Sequence, residues 1–174
     1  MSDFMARLGP DSFESNHVGE NNSIKYMLEL RGSNMDSPPS SAKLNSVSYP
    51  IKFGTGLNVI VLDSIGTLVE HRVFDIANVP AHRESFQTYM LEIQNNRIVG
   101  IVSSGEIKSD ISLDSFMYRI GSRCWPTMQY LNAPGTSFHK SSFSSVYNSN
   151  MKKICVENFI GSVSGDSRTL TEVV

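Results

Sequence analysis

The residue best placed to do chemistry is Asp63, which closes the apolar run Leu57 to Leu62 and precedes Ser64-Ile65-Gly66-Thr67. A carboxylate at the end of a buried strand, with a second carboxylate two residues on, could attack a phosphoryl group while its neighbour moves the proton. Ile65 stands where that second carboxylate is needed, and an alkyl chain neither carries a proton nor orients water. Asp63 therefore reads as a turn residue, since Asp and Gly suit a tight loop. Gly54-Thr55-Gly56 could cradle a phosphate. But Val59 takes the third glycine's place and a strand follows, so no helix N-terminus meets the anion.

The histidines at 17, 71, 82 and 139 are scattered, and none has metal-ligand spacing to another histidine or to a cysteine. Cys124 and Cys155 fit neither a zinc site nor a disulfide framework and read as idle thiols. Asp110 suits a helix cap better than acid–base work. No catalytic residue, metal or cofactor is expected, and the chain reads as non-enzymatic. A net charge of −2 without a basic run excludes nucleic acid as a partner. The apolar runs are too short to insert into a bilayer, and the start, MSDFMARLGPDS, lacks the apolar stretch of a secretory signal.

The elements that must position these residues follow from periodicity. Alternation predicts strands at 24–31 and 42–51, a fully covered strand at 57–62 and its hairpin partner at 68–75. Phe86, Tyr89, Met90 and Ile93 make one apolar stripe on a helix at 82–95. Leu113, Phe116, Met117 and Ile120 repeat it on a helix at 110–121, with Asp110 or Ser112 as cap and Gly121 as stop. Further strands are expected at 98–103, 126–131, 142–147 and 153–159. Residues 1–23 and 161–174 lack an apolar period and read as irregular arms around a single domain, 24–160. The fold class is α+β: a compact, β-sandwich-like arrangement of mixed sheets with two packed helices.

Specific residues sharpen this. Gly54-x-Gly56-Leu57-Asn58-Val59-Ile60-Val61-Leu62-Asp63, Gly66, and Arg72-Val73-Phe74-Asp75 come in order. Arg97-Ile98-Val99, Gly105-Glu106, Leu113 through Gly121-Ser122, and Lys140-Ser141-Ser142-Phe143 follow. Together, over 24–150, they resemble the interleukin-like EMT inducer domain (ILEI/PANDER type). The resemblance implies a sandwich-like fold with helices packed on it and no enzymatic chemistry. Such domains occur in secreted cytokine-like proteins, in the sugar-binding stem of a glycosyltransferase and in bacteriophage tail and fibre proteins. By the same resemblance, Glu106 and Lys140 are the residues retained for sugar contact. Thr55 replaces an arginine between the glycines, and Gly105 replaces an aspartate before the glutamate; threonine cannot supply an arginine's fork of donors.

The leader and paired cysteines of the secreted members are missing. The expectation is a structural subunit of a larger assembly, a bacteriophage virion component of the tail, baseplate or fibre. Its partners would be other protein subunits. The alternative is a carbohydrate-binding module with glycan as partner, acting as a receptor or adhesin.

Overall fold

In a computed structural model of the chain, residues 26–33, 38–131, 141–161 and 169–173 are described. The N-terminal arm expected at 1–23 lies outside them, as does Lys140. The order is β1 (Met27–Arg31), β2 (Ser41–Leu44), β3 (Val47–Ser48), β4 (Gly56–Leu62), β5 (Leu68–Phe74) and α1 (Ala81–Glu92). Then come β6 (Ile98–Ser104), α2 (Ile111–Arg119), α3 (Met128–Leu131), β7 (Ser142–Asn148), β8 (Lys153–Ile160) and β9 (Thr169–Val173). One sheet has the order β3-β2-β1-β9, the other β5-β4-β6-β7-β8. Every described pairing is antiparallel, so the mixture is of sheets with helices and not of strand directions.

Three layers result. The five-stranded sheet is the middle one. Because side chains alternate along a strand, β4 divides its apolar residues between two cores. Leu57, Val59 and Val61 join Phe86, Met90, Phe116 and Met117 beneath α1 and α2, while Ile60 and Leu62 meet Leu28, Leu30 and Leu170 of the smaller sheet. All seven residues of β4 are buried, as a continuous apolar run in a central strand requires. The helix stripes lie as expected. Phe86 meets Phe74 edge-on at 5.5 Å and Phe116 at 6.0 Å, the geometry that aromatic quadrupoles favour. Asp110 caps α2, its Oδ1 accepting from the Leu113 amide at 2.8 Å, and Arg83 pairs with its other oxygen at 3.3 Å.

Three segments differ from the sequence reading. The strand expected at 42–51 is a hairpin of β2 and β3, because Asn45 and Ser46 both take positive φ (48° and 66°), as a two-residue turn demands. The strand expected at 126–131 is the short helix α3. There Thr127 opens a helical turn, its carbonyl accepting from the Leu131 amide at 2.9 Å. The C-terminal segment expected as an irregular arm contains β9. Its Leu170 is buried between the sheets, and its backbone pairs with β1 from Met27↔Val173 to Arg31↔Thr169. No described helix is long and apolar enough to cross a membrane.

Candidate functional site

Asn58 holds the loop that leads into β4. It is fully buried, and its side-chain amide closes a ring on Gly54: the Gly54 amide donates to Oδ1 at 3.0 Å and Nδ2 donates to the Gly54 carbonyl at 2.8 Å. His71, across the hairpin, approaches the same Oδ1 with Nε2 at 3.2 Å. An amide carbonyl oxygen has no proton to give and can only accept, so Nε2 is the donor in this contact. Phe53 packs edge-on against the imidazole at 6.1 Å. This partial burial lowers the His71 pKa from its usual 6.5.

The ring fixes where Thr55 projects. Gly56 has a φ of 103°, and a side chain there would collide with the Phe74 carbonyl, so only glycine passes. Gly56 pairs with Ser104 across β4 and β6, which sets the loop ends side by side. A Cβ on Gly105 would lie 3.6 Å from the Thr55 methyl carbon. The structure thus brings Thr55, Gly105 and Glu106 to one end of the central sheet.

Glu106 is already engaged there, since Lys108 pairs with Oε1 at 3.1 Å. That lysine is a neighbour the sequence reading missed, although its spacing of two residues from Glu106 was visible. The arrangement offers one hydroxyl and one charge-compensated carboxylate to a ligand. Lys140 lies outside the described residues, so its distance from this group is not part of the geometry.

Asp63 acts as the turn residue expected. Its Oδ1 accepts from the Ile65 amide at 3.0 Å and the Thr67 amide at 2.8 Å, which holds its pKa below the ordinary 3.8. Cys124 and Cys155 are free thiols. Burial raises both pKa values, aided at Cys124 by the Glu157 carboxylate, so neither is a ready nucleophile near neutral pH. Among the described residues no group of three or more His, Cys, Asp or Glu side chains could hold a metal ion.

Two clefts were not foreseen. One, of about 370 Å³, opens where Arg97, Ile98, Cys155 and Glu172 meet at the end of the inter-sheet core. The other, of about 570 Å³, lies at the C-terminal end of α2, between the 121–127 loop and the start of β8.

Comparison with known proteins bears out the resemblance read from the motifs. Residues 55–134 match the family described as Interleukin-like EMT inducer. That match takes in Thr55, Gly105 and Glu106 and stops short of Lys140. The chain is also similar to the Long-tail fiber protein gp35 of Enterobacteria phage T4, 28% identical over 167 residues, which cover 91% of this chain and 42% of that protein. The chain thus spans less than half the length of this relative.

Proposed function

We propose that this chain, whose residues 55–134 match an interleukin-like EMT inducer domain, is a structural subunit of a bacteriophage tail fibre. It acts by holding neighbouring protein subunits and carries no chemistry of its own. The observation that carries the reading is the similarity to a long-tail fibre protein along 91% of the chain. The architecture supports it, because two apolar cores on the faces of one central sheet make a stiff body suited to bearing contacts on its outer surfaces. Of the tail, baseplate and fibre alternatives, the relative favours the fibre.

The glycan reading has weaker support. A sugar hydroxyl pair is best held by an arginine fork, and Thr55 is not one. Lys108 already partly neutralises Glu106 through Oε1, which weakens that carboxylate as an acceptor for a sugar hydroxyl.

Quantitative mass spectrometry of purified particles, with immunogold labelling, tests the proposal. The expected result is the chain at fixed stoichiometry with fibre proteins, and label along the fibres. Abundant protein in the host lysate with none in purified particles would refute a virion role.

A further inference from the structure

The cleft at the end of α2 is built from three separate elements. Arg119 comes from the last turn of the helix, Arg123 from the following loop and Lys153 from the start of β8. All three side chains are exposed, and none forms an ion pair among the described residues. Tyr118 stands beside them with 80% of its surface open to solvent. The Arg119 guanidinium lies 5.4 Å from the centre of the Phe116 ring, which steadies its plane and leaves its N–H edge free.

The nearby carboxylates do not cancel this charge by direct pairing, because internal donors hold them. Asp114 accepts from Ser109 and from the Trp125 indole (3.0 Å) on one oxygen, and from the Met128 amide (2.8 Å) on the other. Glu157 accepts from the Ser122 hydroxyl and from the amides of Arg123 and Cys124. The C-terminal end of a helix normally repels anions through its free carbonyls. Here those of Met117, Tyr118 and Ile120 accept from the amides of Ser122, Gly121 and Ile154, which blunts that end.

We propose that this cleft docks an acidic peptide segment of a neighbouring protein subunit, carboxylates on Arg119, Arg123 and Lys153 and an apolar or aromatic side chain against Tyr118. The inference rests on the assembly reading above and names the chemistry by which a partner would be held. A peptide is favoured over a sugar because the cleft offers mainly donors. A carboxylate only accepts, whereas a polyol also needs acceptors, and the Asp114 and Glu157 carboxylates beside the cleft already take internal donors. A nucleic acid is disfavoured by the chain's net charge of −2.

The test is titration of the intact chain with a fluorescein-labelled peptide of six glutamates and one phenylalanine, in low salt. The expected result is saturable binding, weakened about tenfold by Arg123→Glu with Lys153→Glu. Lys52→Glu, an exposed charge reversal on another surface, leaves it unchanged. Circular dichroism melting confirms that the variants fold, as substitution at exposed positions allows. Equal affinity in the double variant, absence of saturable binding, or binding of an acidic oligosaccharide such as oligogalacturonate in place of the peptide would overturn the proposal. The two readings fail separately. Wild-type chain present in particles without peptide binding sinks only the docking inference, and peptide binding by a chain missing from particles sinks only the fibre role.

Discussion

Asn58 interrupts an otherwise apolar strand, and the reason lies four residues upstream. A leucine there would extend the core but take from the half-buried Gly54 amide and carbonyl their side-chain partners, a loss for each below the roughly 1–3 kcal/mol of a fully buried group. His71 shares this arrangement and gives it a pH dependence. Its folded pKa is lowered by burial from 6.5, so the unfolded chain binds the proton first as the solution is acidified. The stabilising contribution is therefore fully present above 6.5 and is lost as pH falls from there to the lower folded value. Urea unfolding between pH 8 and pH 5 should show wild-type stability falling more steeply than that of His71→Gln. Parallel curves would mean that the imidazole is as well solvated in the folded chain as in the unfolded one. The chemistry of single residues was only partly legible beforehand. Asp63 was readable as a turn because Ile65 removes the alternative; Lys108 stands two residues from Glu106, but that spacing alone does not say that the two side chains turn toward each other.

At the level of elements, the β2–β3 turn is a place where sequence and backbone disagree mildly. Asn tolerates positive φ, but Ser46 at 66° carries a Cβ that the left-handed region disfavours. Ser46→Gly should therefore stabilise the chain by about 1 kcal/mol, read as a higher urea midpoint at unchanged slope. The lost contact from Ser46 to Glu29 is exposed and 3.4 Å long, too weak to offset the gain. A lower midpoint would show that the serine side chain matters more than the backbone. The same turn explains why one strand was expected over 42–51: Asn-Ser is a fainter hairpin signal than Asn-Gly. The 56–74 hairpin and both long helices were legible because each has a sustained period and a clear stop. Residues 126–131 were not, since a four-residue helix is too short to display a 3.6 period. β9 was missed for a related reason. Thr169-Leu170-Thr171-Glu172-Val173 alternates, yet its buried Leu170 gains its partners from β1, far away in sequence.

For the whole molecule, β9 closes the smaller sheet and covers one edge of β1. A chain ending at Gly161 should lose at least about 2 kcal/mol from Leu170 burial alone and expose a strand edge open to pairing with other chains. Thermal melting with light scattering should show a lower midpoint and earlier aggregation; an unchanged midpoint would mean that β9 adds nothing to the fold. The pairing of Met27 with Val173 also has a mechanical meaning. Met27 and Val173 are the described ends of two neighbouring antiparallel strands. Tension applied through both would load their hydrogen bonds singly and in succession, like a zip, and the smaller sheet would part at low force. A pull borne by the outer surfaces would load many bonds at once. Such a body would endure strain best when gripped by its flanks, with these two strand ends left slack.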